Sequence, residues 1–481
     1  MRYSVRSAFR SATTSRALRT KEGEPYRARD VVADRNALLT EYRNAGYLQV
    51  EVLSHLEFSE GRRRLDLTLE VVAGPRTRVG HVVIAGLTHT REEIVRRELR
   101  LKEGDPLGVE AVLESQRRLG ALGVFGNVTI SEIDPESIGR RSLLVSVDEL
   151  SLTRLAYGAG YSERDGPRLS AEVTRRNIGG RDRSLTTFVR GSFRGLRILS
   201  TYREPYLFGR KQELFATAFR EEEERDTFSY TRYGVIAEAA RRLSPTWSVI
   251  GRFTTQKTHS FDLKVAVEEI DKQYLDAFLS GPSLSLVNDT RDDPLDPRRG
   301  RFLSADTQLS HHILGGDSFV KGFVQGSVYR RLGPRLVLAT NARVGLARTL
   351  EGTAPDLLPF PDRFFAGGDY SLRGFKIDRA GPLGVSSSGT LVPTGGNALL
   401  LGGAELRLSV VRYFAVAAFS DLGNVYPLVD DVDLGDLRYT AGVGLRYKSA
   451  FGPIRADWGY KLNRRPDEEA WRLHFTIGHA F

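Results

Sequence analysis

Cysteine is absent from the 481 residues, which removes disulfides, thiolate nucleophiles and cysteine zinc sites together, and suits an envelope compartment without requiring one. Long apolar runs are missing as well. A helix that crosses a bilayer needs about 18 to 20 consecutive apolar residues, and the best stretches, 397–401 and 413–419, are far shorter. The first twenty residues are basic and rich in Ser and Ala but lack the apolar middle region of a secretory signal, so either the start is truncated or the chain is not exported. Charge of one sign is in small excess: Lys+Arg 70 against Asp+Glu 60 gives +10, which permits nucleic acid or an anionic membrane surface and selects neither. What is present is 41% hydrophobic and 27% charged residues, too much apolar material for a disordered chain. Gly 48, Phe 24 and Tyr 18 beside a single Met describe a chain of turns and aromatic residues, which favours β structure.

The first 150 residues hold an imperfect internal repeat. Lys21-Glu-Gly-Glu-Pro-Tyr26 returns as Lys102-Glu-Gly-Asp-Pro-Leu107. Each copy continues with helical apolar spacing (Val31, Val32, Leu38, Leu39, Tyr42; Val109, Val112, Leu113, Leu119) and a stop at Gly46-Tyr47 or Gly123-Val-Phe125. Two strands follow, at 48–52 and 65–71 or at 128–133 and 143–147. The second copy, 78–150, opens with its own strand at 79–84 and reads β-α-α-β-β. The first, 1–77, shows no opening strand, because residues 1–17 do not alternate.

From about Ser151 the period changes to 2. Sixteen segments of roughly ten residues alternate apolar with polar positions, separated by polar or glycine-rich turns. With the repeats on one side of a membrane, the odd-numbered connections fall on the other, and they include the long ones, above all 349–396; the even ones read as short turns apart from 291–300. Segregation of loop length by parity is a property of a membrane barrel and has no cause in a soluble sandwich. The fold class expected is therefore mainly β: a 16-stranded transmembrane antiparallel barrel over 151–481, preceded by two small α+β domains.

A sheet in hydrocarbon must close on itself, because each unpaired backbone group there costs several kcal/mol. The segments expected to meet are 152–161 and 471–481. The latter places Trp471, Leu473, Phe475, Ile477 and Phe481 on one face. Gly158 and Gly160 on the first segment and Gly478 on the last make that junction a plausible weak point, although barrel strands commonly carry glycine.

The loop at 349–396 contains Phe364-Phe-Ala-Gly-Gly-Asp-Tyr-Ser-Leu-Arg-Gly-Phe375, an aromatic and glycine cluster around a single Arg373. A guanidinium in such a hairpin suits insertion into a polar lumen, where Glu405 and Asp421 on the next strands are the inward candidates; an arginine in solvent on a loose loop is the plain alternative. Other chemistry is sparse. His311-His312 point to opposite faces of a strand, Gly158-Ala-Gly160 lacks a third glycine, and neither a Gly-x-Ser-x-Gly elbow nor a phosphate loop occurs. The reading assigns no catalytic residue, no metal, no cofactor and no nucleic-acid partner. Glu221-Glu-Glu-Glu-Arg-Asp226 reads as a solvated loop.

Leu372-Arg-Gly-Phe375 resembles the Val-Arg-Gly-Phe loop motif of the BamA/TamA superfamily of outer-membrane assembly proteins. Asp289-Thr-Arg-Asp-Asp-Pro-Leu-Asp-Pro-Arg-Arg-Gly300, Phe419-Ser-Asp-Leu-Gly-Asn-Val425, Phe451-Gly-Pro-Ile-Arg-Ala-Asp-Trp458 and Phe475-Thr-Ile-Gly-His-Ala-Phe481 are similar to its turn, strand and terminal signatures, and the repeats to its POTRA domains. The resemblance implies that Arg373 enters the lumen and pairs with Asp421 and Glu405. It also implies a lateral gate between first and last strands, with Tyr157, Gly158 and Gly160 on one side and Ile477, Gly478 and Phe481 on the other. Leu372 stands where the motif has valine.

The function expected is that of an outer-membrane assembly factor with its POTRA domains in the periplasm. Unfolded β-barrel or autotransporter-like clients would add strands at POTRA sheet edges and at the gate, without a nucleotide. Outer-membrane lipid and periplasmic, lipoprotein or inner-membrane-anchored proteins are the further partners expected. The rivals are a two-partner secretion pore, which passes its client through the lumen, and a passive porin.

Overall fold

A computed structural model describes all residues except 1, 7–17, 63, 134–138, 208, 211, 265–274, 351–356, 387, 450–451, 467 and 478–481. The chain divides into two compact units, Met1–Leu152 with Arg176–Arg183, and Thr153–Arg175 with Ser184–Phe481.

The first unit contains the two repeats. In the first, strand β1 (Arg2–Arg6) pairs in parallel with β3 (Leu65–Val72), which is flanked on its other side by antiparallel β2 (Glu51–Phe58). The second copy has the same order: β4 (Arg78–Ala85), β6 (Arg140–Glu149) and β5 (Phe125–Glu132), with β6 central. The opening strand that the first copy was expected to lack is thus present. Arg2-Tyr-Ser-Val-Arg6 has too few apolar residues to alternate visibly, and its backbone ladder to β3 defines it instead. The next strand also lies later than 48–52. It is an edge strand with Val52 alone buried along it, so its pattern gives no period. Central β3 alternates cleanly, with Leu65, Leu67, Leu69 and Val71 inward.

Helix α1 (Ala28–Asn44) lays Val31, Asp34, Leu38 and Tyr42 against the first sheet at helical spacing. The buried Asp34 carboxylate accepts the backbone N–H of Arg19 at 2.7 Å and of Thr20 at 2.9 Å, which satisfies its charge. In the second copy, helices α2 (Glu92–Glu98) and α3 (Val109–Ala121) close a core in which Val79, Val95, Leu119 and Val145 are fully buried.

The second unit is one antiparallel sheet of sixteen strands. The first eight are β7 (Thr153–Ser162), β8 (Gly166–Ile178), β9 (Arg183–Ser192), β10 (Gly195–Glu204), β11 (Glu213–Glu224), β12 (Ser229–Arg242), β13 (Trp247–Phe261) and β14 (Asp276–Asp289). β15 (Gly300–Ser310), β16 (Phe319–Arg331) and β17 (Leu336–Thr349) follow. After the long loop, which holds its own hairpin of β18 (Leu383–Val385) and β19 (Leu391–Pro393), come β20 (Ala398–Ser409), β21 (Phe414–Tyr426), β22 (Arg438–Ser449), β23 (Gly452–Lys461) and β24 (Trp471–Ile477). Every wall strand pairs with its neighbour in sequence, β17 pairing β20 across the loop.

Alternation sorts the side chains. On β24, Trp471, Leu473 and Phe475 face outward and are each about half exposed or more, whereas Arg472, His474 and Thr476 face inward. The connection at 205–212 is a second long one on the side expected to carry short turns, beside 290–299. Among the described residues no helix is long and apolar enough to cross a membrane.

Candidate functional site

The long loop folds back into the bore. Leu358, Phe364, Leu372 and Phe375 of the loop bury themselves with Phe319, Ala347, Leu399, Leu401 and Val425 of the wall. Phe375 lies beneath two cations, with the Arg438 guanidinium 4.9 Å and the Lys461 ammonium 4.4 Å from its ring centre. Gly374 adopts φ +101°, a left-handed backbone that sharpens the turn at the motif.

Arg373 is 2% exposed. Its Nε and Nη2 donate to the two carboxylate oxygens of Asp421, each at 2.8 Å, and its backbone N–H adds a third bond to Asp421 at 3.2 Å. Nη1 donates to Glu405 at 2.5 Å, and the guanidinium carbon lies 3.4 Å from the centre of the Phe419 ring. The arginine, Glu405 and Asp421 singled out in the sequence therefore come together, in the fork geometry that suits a guanidinium.

Sequence reasoning missed the rest of the cluster. Arg407 donates to the other Glu405 oxygen at 2.8 Å, Arg446 reaches Glu405 at 3.0 Å and also bonds Asp457, and Asp457 stands 3.8 Å from Arg373. With Arg455 3.9 Å from Asp457, three carboxylates and four guanidiniums thus share one largely buried cluster, where each charge is tolerable only because the others are present. Asp457 sat inside a quoted motif and Arg446 alternates inward on β22, so the period could have nominated both.

The seam differs from the rest of the wall. Among the described residues β7 and β24 exchange no backbone ladder, although each is fully paired on its other side. Side chains bridge the gap instead. The rings of Tyr161 and Phe475 meet edge to face at 5.9 Å, Arg472 Nε donates to Glu163 at 3.0 Å, and His474 Nδ1 lies 2.6 Å from the other Glu163 oxygen. Burial opposes the charge on Glu163, but the imidazole and guanidinium outweigh it and hold the carboxyl below the usual carboxylate range. The same turn ties into the loop, since Arg164 grips Asp378 with two bonds of 2.8 and 2.7 Å.

Of the gate residues named from sequence, Tyr157 stands 90% exposed on the outer face. Gly158 and Gly160 oppose Ser170 and Arg168 on β8, and Ile477 pairs with Ile454 on β23. None of these four makes the bridging contacts, which come from Tyr161, Glu163, Arg472, His474 and Phe475. Gly478 and Phe481 lie outside the described residues.

Comparison with known proteins gives the family. The Omp85 superfamily domain matches residues 177–481, and the POTRA model, surface antigen variable number repeat, matches 6–74 and 77–150. The outer membrane protein assembly factor BamA of Nitratidesulfovibrio vulgaris is 24% identical over 475 residues, covering 96% of this chain and 58% of the relative. The chain spans about three-fifths of the length of the curated relatives it matches. Among solved structures, BamA from Haemophilus ducreyi lacking POTRA domains 1–3 shares the fold with a TM-score of 0.80 at 20% identity, over 97% of this chain and 96% of that one. CdiB from Acinetobacter baumannii does so at 0.53 and 15%, over 99% and 88%. With a barrel of sixteen strands, an arginine-bearing loop seated in its bore and two POTRA repeats before it, this chain belongs to the Omp85 superfamily and is a protein of the outer membrane.

Proposed function

We propose that this protein assembles β-barrel or autotransporter-like clients into the outer membrane, with the seam between β7 and β24 as the place where a client strand enters. The observation that carries the reading is that, among the described residues, β7 and β24 share no ladder. Two sheet edges facing lipid are costly when unpaired and are templates for a further strand. Each pair of partners that a client strand contributes replaces exposed N–H and C=O groups with bonds, so folding of the client supplies the free energy. The edge strands β2 and β5 of the POTRA sheets offer the same backbone chemistry to an unfolded chain before it reaches the bilayer, tolerant of sequence because the contacts are main-chain. Relatives named outer membrane protein assembly factor support this reading.

The test is a lock on the seam. Tyr161→Cys with Phe475→Cys, joined by a short bis-methanethiosulfonate linker that releases methanesulfinate at each thiol and is cut by a reductant, places the cross-link where the two rings already touch. In proteoliposomes given a urea-unfolded client barrel, insertion should stop when the linker is in place and resume when it is cut. Full insertion by the locked protein would reject the gate. A secretion pore is the second reading, and it requires the loop and its buried ion cluster to leave the bore. A locked protein that still delivers client to the vesicle interior would favour that one.

A further inference from the structure

His474 is fully enclosed and carries two hydrogen bonds of opposite sense. Its Nε2 accepts the backbone N–H of Gly374 at 2.8 Å, so that nitrogen bears no proton. The other nitrogen, Nδ1, is then the one that holds the hydrogen and donates to Glu163 at 2.6 Å. Only the neutral ring in this one tautomer satisfies both neighbours. A second proton would turn Nε2 into a donor facing a donor. Gly374 has no room to turn aside, because its N–H rests against Gly459 of β23 so closely that a Cβ there would lie 2.7 Å from the nitrogen.

We propose that His474 is a positioning residue that registers the lumen loop against the last strand and the first hairpin, and that protonating it loosens the loop while leaving the last strand tied to Glu163. The proposal rests on the seam being the working part of the barrel, but it concerns the resting protein without client. The charged groups around the ring are Glu163 from the β7–β8 turn, which it bonds, Arg472 from its own strand on that same carboxylate, Asp369 from the loop, with Arg455 of β23 bonded to the Asp369 carbonyl, and Asp457, its cross-strand partner on β23. The carboxylates can accept an added positive charge on the imidazole, whereas the Gly374 N–H cannot. Thr476, two residues on, donates to Asp369 at 2.5 Å, so the strand keeps a second hold on the loop and the segment loosens without being expelled.

The absence of cysteine makes the test direct, since any introduced thiol is a unique label. Leu372 is fully buried beside the histidine-bonded glycine. Leu372→Cys in detergent-solubilised full chain is reacted with a maleimide between about pH 8 and pH 5. Rates are normalised at each pH to Phe193→Cys, a residue 85% exposed. The normalised rate should rise roughly tenfold toward acid, the equivalent of one buried N–H left facing a donor. With His474→Gln, which keeps a donor and an acceptor but has no proton to gain, the normalised rate should stay flat. An acid rise of equal size in the His474→Gln protein overturns the proposal. So does a flat profile in the histidine-bearing Leu372→Cys protein, a result that stands even when the glutamine variant does not fold. No client is present, so failure of the seam lock and failure of this test are read separately.

Discussion

Truncating Arg373 to alanine tests the ion cluster most sharply, because its two carboxylate partners lose different things. Glu405 keeps Arg407 and Arg446. Among the described residues Asp421 keeps one hydrogen bond to its carboxylate, from the backbone N–H of residue 373 at 3.2 Å, with Arg343 as a more distant counter-charge, and becomes a buried, poorly compensated charge. Breaking a buried pair in this way costs about 3–5 kcal/mol. Removing Asp421 as well abolishes the orphan, so Arg373→Ala with Asp421→Ala should cost less than the two single changes together, with a coupling of about 2–3 kcal/mol. Urea unfolding in detergent micelles, followed by tryptophan fluorescence, measures it. The three tryptophans, Trp247, Trp458 and Trp471, all lie on wall strands, so the signal reports the barrel and not the POTRA repeats. Additivity within about 0.5 kcal/mol would refute the reasoning. It would assign the seating of the loop to the apolar contacts of Leu372 and Phe375.

Two further perturbations act elsewhere. Gly459→Ala places a Cβ 2.7 Å from Gly374 N and 2.8 Å from Arg373 C, so the loop must shift; a loss of about 1–3 kcal/mol and larger conductance in planar bilayers are expected, and unchanged values for both would mean that the loop backbone yields freely. In the second POTRA repeat, the Glu149 carboxylate accepts the Thr88 hydroxyl at 2.6 Å and the backbone N–H groups of His89 and Thr90 at 2.9 and 2.7 Å. Burial opposes its charge, and these donors overcome burial to bring its pKa from 4.5 to about 2. Its contribution is therefore complete above about pH 4.5 and fades as pH falls through about 2. Hydrogen exchange at His89 and Thr90, corrected for its intrinsic pH dependence, should show protection lost only in that acid window. Loss beginning near pH 5 would contradict the assignment.

The wall was legible in the sequence because lipid on one side and a polar bore on the other impose a period of 2 that no turn interrupts for long. The arginine, Glu405 and Asp421 were legible for the same reason, as inward positions beside a patterned loop. His474 was not. Its partners lie on the loop and on the first hairpin, and nothing in a strand's own alternation says which inward residue faces a seam instead of a ladder. Strand β1 stayed hidden for the opposite reason. Its place is set by backbone pairing to β3, and Tyr3 and Val5 are too few to print a pattern.

The fasteners of the loop also fix an order of events. The acceptor for Gly374 lies a hundred residues downstream, and the donor to Asp369 lies 107 residues downstream, both on the final strand. Contacts so distant along the chain form late, since the intervening segment must be ordered first. The hold of Arg373 on Glu405 and Asp421 spans only 32 and 48 residues and can form before these two clasps on the final strand exist. The loop of this protein is therefore seated first on β20 and β21, and docking of the last strand is the event that completes its fastening.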